Sequence, residues 1–146
     1  PKSRGSVTLQ SADPYQAPAI DPGFFTHPDD MAVAIKGARM GFEILEAKAM
    51  APYRGKRLHP FDVNDDKAME AFLRATCDTE YHPVGTCRMG PDTDPMAVVD
   101  AQLRVRGVQN LRVVDASIMP RIVSGNTNAP TIMLAEKAVD MLRVAH

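Results

Sequence analysis

The sequence predicts an α+β fold, on three observations. Apolar residues recur at helical spacing in three separated stretches. Short alternating stretches, bounded by Pro, Gly and Asn, lie before the first of these and between the second and third. One stretch, Tyr81-His82-Pro83-Val84-Gly85-Thr86-Cys87-Arg88-Met89-Gly90, obeys neither period. Each element follows from local chemistry.

Pro1-Lys2-Ser3-Arg4-Gly5 is a basic, turn-forming lead into Ser6-Val7-Thr8-Leu9-Gln10, whose alternation fits a short half-buried strand. Prolines 14 and 18 interrupt it, and Ala19-Ile20-Asp21-Pro22 reads as a second short strand entering Gly23-Phe24-Phe25. The two phenylalanines read as core, with pocket lining as the other possibility. Thr26-His27-Pro28-Asp29 has the form of a capping box, a threonine oxygen taking an orphan amide with an acid three residues on. In the helix that follows, Met31, Ile35, Ala38, Phe42 and Leu45 form one apolar face, and Lys36, Arg39, Glu43 and Glu46 fall largely elsewhere.

Residues 50–63, with Pro52, Gly55, Pro60 and the cations Arg54, Lys56 and Arg57, read as a loop or linker. Asn64-Asp65-Asp66 places acids at the positive end of a second helix, with Met69, Phe72 and Leu73 on one side and an end near Cys77. After Gly90, Pro91-Asp92-Thr93-Asp94-Pro95 is a turn cluster, and Leu103-Arg104-Val105 and Leu111-Arg112-Val113-Val114-Asp115 read as two short strands with a tight connection. The last helix is expected over residues 129–143, with Asn128 as its cap and Pro130 in the first turn, where a missing N–H does no harm. Ile132, Ala135, Val139 and Leu142 give it a face apolar enough to predict burial.

A formal net charge of −1 spread over 146 residues offers no basic face for a phosphate backbone, so nucleic acid is not an expected partner. Two cysteines, Cys77 and Cys87, make no disulfide framework and lack metal-ligand spacing, so no metal site is expected and a reduced, cytoplasmic setting is. There is no apolar window of about eighteen residues and no charged-then-apolar leader. Neither a transmembrane segment nor a signal peptide is therefore expected, and Pro1 in first position fits a piece of something longer.

The stretch from 81 to 90 is loop chemistry, because a residue before proline is pushed out of the helical region and glycine permits tight backbone. Histidine is the residue type suited to taking a proton from a hydroxyl near neutral pH, which makes His82 a candidate if it faces a cavity; the alternative is a histidine hydrogen-bonded inside a turn. Asn126 carries both a donor and an acceptor in the loop Ser124-Gly125-Asn126-Thr127-Asn128, at the mouth of a helix whose free amides favour negative charge. The alternative there is that the asparagines only cap the helix. Cys87 reads as packing, Arg88 as an anchor for loop backbone or an acid, and Tyr81 as either pocket wall or packing.

Residues 81–90, then Leu111-Arg112-Val113-Val114-Asp115-Ala116-Ser117-Ile118-Met119-Pro120, then Gly125-Asn126-Thr127-Asn128-Ala129-Pro130-Thr131, in that order, resemble the C-terminal part of the glucose-methanol-choline (GMC) flavin oxidoreductases. The opening Pro1-Lys2-Ser3-Arg4-Gly5-Ser6-Val7 with Ser11-Ala12-Asp13-Pro14 is similar to the start of that region. The resemblance implies a two-domain FAD enzyme, with residues 1–110 belonging to a substrate domain built on an antiparallel sheet and residues 111–146 returning to the FAD domain. It implies an FAD-dependent dehydrogenase or oxidase acting on the CH–OH group of a small alcohol, with oxygen or another electron acceptor. By the same resemblance His82 matches the base that takes the hydroxyl proton, and Asn126 the residue that hydrogen-bonds the substrate oxygen. Asp115 and Ala116 match a turn lying against FAD, and Asn126, Thr127 and Asn128 match backbone beside the flavin ring. The family's FAD domain opens with G-x-G-x-x-G, which is absent from these residues. The expectation is therefore a chain inactive alone and active when docked to the N-terminal, FAD-binding portion of the same enzyme. The competing expectation is a binding or regulatory module that kept the scaffold without the chemistry.

Overall fold

The structure, a computed structural model, describes residues 1–144 and separates into two compact units, Pro1–Asp78 and Thr79–His146. Helices and a two-stranded antiparallel sheet make up the regular structure, as an α+β reading requires.

In the first unit β1 (Ser6–Thr8) pairs with β2 (Ala19–Asp21), with Val7 opposite Ile20. Both strands are fully exposed within this chain, not half-buried: Val7 is 47% and Ile20 68% accessible, because a two-stranded ribbon has no second layer to cover it here. The ribbon closes where Gly23, at φ +62°, passes so near Arg4 that a Cβ would stand 2.3 Å from the Arg4 carbonyl oxygen.

Helix α1 spans Pro28–Glu46 and is capped by His27, whose Nδ1 accepts the Asp29 N–H at 3.2 Å. The Thr26 capping box does not form, since Pro28 with its preset φ sets the first helical position one residue later. Thr26 Oγ1 donates instead to the Gly23 carbonyl at 3.0 Å. The stretch expected to be all loop contains a 3₁₀ helix, Lys48–Tyr53, with Pro52 inside it. Helix α2 (Asp66–Thr76) is capped by Asp65, which accepts the Lys67 N–H at 2.8 Å, and ends at Cys77 as expected. Met31 of α1 and Met69 of α2 are buried, and in the same unit Phe61 stacks on Phe72 at 4.7 Å while Phe42 meets Phe61 edge-on at 5.7 Å. Phe24 is 48% exposed and lies outside the core, with Phe25 next to it half-buried. Among the described residues, no helix is long and apolar enough to cross a membrane.

The second unit is built mostly from loops stitched by backbone bonds. The Leu103 and Val113 segments do meet antiparallel, through a bridge between Arg104 and Arg112 and through bonds from Val105 N–H to the Leu111 carbonyl at 2.9 Å and from Val113 N–H to the Leu103 carbonyl at 3.1 Å. They form single bridges rather than strands, because Leu103 (φ +66°) and Asn110 (φ +58°) turn the backbone out of the extended region. Val99, Leu103, Ile118 and Ala138 form the core, with Met89, Val105, Val113, Leu134 and Met141 packed around it.

Helix α3 (Asn128–Val144) starts one residue earlier than expected, so Thr127 rather than Asn128 stands at the cap position, its carbonyl accepting the Thr131 N–H at 3.0 Å. Pro130 is in the first turn, as expected. The face the helix buries in this unit runs through Leu134, Ala138 and Met141. The stripe expected to be buried is the neighbouring one: Ile132, Val139 and Leu142 are 56%, 42% and 40% exposed. Alpha-helical spacing identifies both stripes as apolar, and only the contacts tell which one this chain covers.

Candidate active site

His82 and Asn126 lie 44 residues apart in the chain and are brought together by two anchored segments. The segment carrying His82 is stitched down on both sides. Cys87 N–H donates to the Ser117 carbonyl at 3.1 Å and Met89 N–H to the Ile118 carbonyl at 2.8 Å, while Val98 N–H reaches the Arg88 carbonyl at 2.9 Å. Side chains complete the hold. Arg88 pairs with Asp94 at 2.8 Å, and Arg106 donates to the Gly90 carbonyl at 2.7 Å. The N–H of Met96 and then the Arg88 guanidinium keep the Asp94 carboxyl below its ordinary value of 3.8, against the opposing effect of burial. Arg88 is thus an anchor for an acid, one of the two roles its sequence context suggested.

The other half comes from the loop that opens α3. Asn126 Nδ2 lies 2.9 Å from His82 Nε2, and Thr127 Oγ1 lies 2.9 Å from His82 Nδ1. An amide nitrogen can only donate, so this Asn126 contact suits the neutral tautomer in which Nε2 accepts and the ring proton sits on Nδ1, toward the Thr127 hydroxyl oxygen. The Thr127 backbone N–H donates to the same Nδ1 from 3.5 Å, a contact at the outer limit of a hydrogen bond that suits the other tautomer. Thr127 is buried, His82 half-buried and Asn126 exposed, so the cluster has its support inside the unit and its outer edge at the surface. A cleft of about 530 Å³ lies elsewhere, on residues 100–112, and neither His82 nor Asn126 lines it.

Asp115, Ala116 and Asn128 take no part in the His82 hydrogen-bonded cluster among the described residues. Asp115 caps the 3₁₀ turn Ala116–Ile118, accepting the Ser117 N–H at 2.8 Å, and Asn128 is the exposed first residue of α3. The Thr127 hydroxyl, as distinct from its backbone, is the member of the cluster that sequence reasoning missed. Its signal is the spacing to Pro130: a cap hydroxyl ordinarily takes an amide two or three residues on, and the proline removes one of the two.

With a two-sided loop presenting a histidine and the mouth of a helix presenting an asparagine, the chain falls in a recognisable class. The family model described as GMC oxidoreductase matches residues 1–135, and the chain belongs to that family. It is 51% identical to the mitochondrial choline dehydrogenase of Homo sapiens over 145 residues, which are 97% of this chain and 24% of that protein. In structure it is similar to pyridoxine 4-oxidase from Mesorbium loti, with a TM-score of 0.91 and 35% identity, over all of this chain and 28% of that one. An FAD-dependent oxidoreductase from Chaetomium thermophilum superimposes with a TM-score of 0.87 and 32% identity, over 97% of this chain and 25% of that one. The chain thus spans about a quarter of the length of the relatives it matches.

Proposed function

We propose that this chain is the C-terminal portion of an FAD-dependent alcohol oxidoreductase in which His82 takes the substrate hydroxyl proton and Asn126 holds the substrate oxygen. One observation carries the reading: His82 Nε2 and the Asn126 amide converge within 2.9 Å at the surface, as a lone pair facing a donor. An alcohol oxygen that displaces this bond, with the two side chains moving apart to admit it, meets both needs, giving its proton to Nε2 and accepting from Nδ2. A positioned base is worth about 10²–10⁴-fold in rate, and a donor on developing oxygen charge about 10²–10³-fold.

The mouth of α3 suits a flavin ring. Asn126, Asn128 and Ala129 are exposed there, the first turn carries no acidic residue, and a Cβ on Gly125 would meet nothing within 4 Å. Asn126, Thr127 and Asn128 would hold that edge of FAD, with Asp115 and Ala116 against another part of it. Bound FAD supplies the acceptor for the hydride. The missing dinucleotide fingerprint needs no regulatory module to explain it, since three quarters of each relative's length lies outside this alignment. The N-terminal portion of the same enzyme is the proposed partner of α3's exposed stripe of Ile132, Val139 and Leu142, and it would supply the remaining walls of the site. The substrate class proposed is a small alcohol, beginning with choline from the human relative's name, and the electron acceptor is oxygen or another oxidant.

The test is His82→Gln in the complete enzyme, with flavin reduction by choline and other alcohols followed by rapid mixing. We expect a fall of about 10²–10⁴-fold at saturating alcohol. A rate equal to the parent's would remove His82 from the chemistry.

A further inference from the structure

We propose that the Thr127 hydroxyl is the positioning residue of the site, fixing the proton of His82 on Nδ1 so that Nε2 is left as the base. The inference rests on the reading of His82 just given and adds a residue whose side chain touches neither the substrate nor the reacting atoms.

Three observations support it. Thr127 is a buried polar residue, 9% exposed, and a hydroxyl in such a place needs a partner; His82 Nδ1 at 2.9 Å is that partner. The two short ring contacts favour one arrangement: with Asn126 Nδ2 donating to Nε2, the ring proton belongs on Nδ1, toward Oγ1, and the Thr127 N–H, 3.5 Å from Nδ1, is the one contact that pulls the other way. Finally, the hydroxyl is partly released from helix capping. Pro130 stands three residues on and has no N–H to give, while the first helical turn is already held through the Thr127 carbonyl, which accepts from Thr131 N–H at 3.0 Å and Thr131 Oγ1 at 2.7 Å. When Nε2 gains the substrate proton, the ring becomes a cation whose Nδ1–H still needs an acceptor, and Oγ1 stays in place to provide it. The hydroxyl thus favours the neutral tautomer with a free Nε2 and supports the charged form that follows.

Substitution of Thr127 separates this role from packing, because serine keeps the hydroxyl and loses the methyl whereas valine keeps the shape and loses the hydroxyl. In the complete, flavin-loaded enzyme, Thr127→Ser should keep kcat/KM within about threefold of the parent, and Thr127→Val should lower kcat about tenfold, the scale of one hydrogen bond to a group that becomes charged. Thr127→Val should also move the acid limb of the kcat/KM profile to lower pH, since an unaccepted Nδ1–H makes the imidazolium less favourable. An unmoved limb with parental kcat overturns the proposal. A limb moved to higher pH also overturns it, because that is the signature of a hydroxyl donating to Nδ1. If Thr127→Val does not accumulate as folded protein, Thr127→Ala is compared with Thr127→Ser, and equal profiles for those two count against the hydroxyl. His82→Gln keeps the two readings apart: full activity there sinks the base assignment itself, whereas lost activity there with indifferent Thr127 variants sinks only the positioning role.

Discussion

At the scale of the residue, His82 gains its meaning from two neighbours on one loop. Asn126 and Thr127 are adjacent in the chain yet act on opposite nitrogens of the same ring, one at the exposed edge and one at the buried edge. Asn126→Ala should therefore lower the rate of flavin reduction by about 10²–10³-fold while leaving thermal stability close to the parent, since an exposed amide contributes little to folding. A matching fall in Tm would instead assign Asn126 to structure. At Gly90 a Cβ would come within 2.8 Å of Ala97 Cβ and 3.0 Å of the Asp94 carboxylate. Gly90→Ala should thus cost about 1–3 kcal/mol of stability, seen as a lower unfolding temperature, by forcing the Arg88–Asp94 clamp apart. His82 and Asn126 were legible in the sequence as candidates because a histidine before proline and an asparagine beside glycine are chemically conspicuous. The Thr127 hydroxyl was not, because its role depends on a contact across 45 residues that no local pattern encodes.

At the scale of the element, the helices were the most legible parts. Asp65 caps α2 and Cys77 ends it, as the acids and the apolar spacing indicated. The cap of α1 was misplaced by one residue because a threonine and a histidine both precede Pro28, and the position of the proline decides between them. The second unit was less legible, since its pairs are single bridges broken by left-handed residues such as Leu103, which carry no propensity signal. Ile118 sits where these bridges meet the helix, fully buried and with its carbonyl on Met89 N–H. Ile118→Ala should cost about 2–5 kcal/mol by denaturant unfolding and loosen the loop carrying His82.

Acid acts on a different element. The Ser3 side chain, followed by the N–H groups of Lys2 and Ser3, holds the Asp30 carboxyl far below 3.8 and ties the N-terminal lead to α1. The folded value lies below the unfolded one, so this contribution is complete above pH 3.8 and is lost as pH falls below it. Amide exchange at Lys2 and Ser3, corrected for its intrinsic pH dependence, should rise in that acid window, and Asp30→Asn should show the faster exchange already at neutral pH.

At the scale of the whole molecule, the α+β class and the family were legible because three ordered motifs fall between residues 81 and 131 and the opening resembles the start of the same region, whereas burial was not. Hydropathy reports which residues avoid water but not which chain covers them, and a sequence matching about a quarter of its relatives' length leaves part of its apolar surface to be covered by something else. The stripe of Ile132, Val139 and Leu142 should bind a hydrophobic dye strongly in the isolated chain. Co-production with the N-terminal portion should abolish most of that signal; an unchanged signal would mean that the stripe is not the docking face.

Ala138 and Val139 sit side by side on α3, one 2% and the other 42% exposed, one in the core of its own unit and the other on the bare stripe. Their genetics should therefore diverge. Ala138→Asp should act as a folding lesion, whereas under the docking proposed above Val139→Asp should act as an assembly lesion open to suppression by a lysine selected in the N-terminal portion. The position of that suppressor would map the far side of the junction residue by residue.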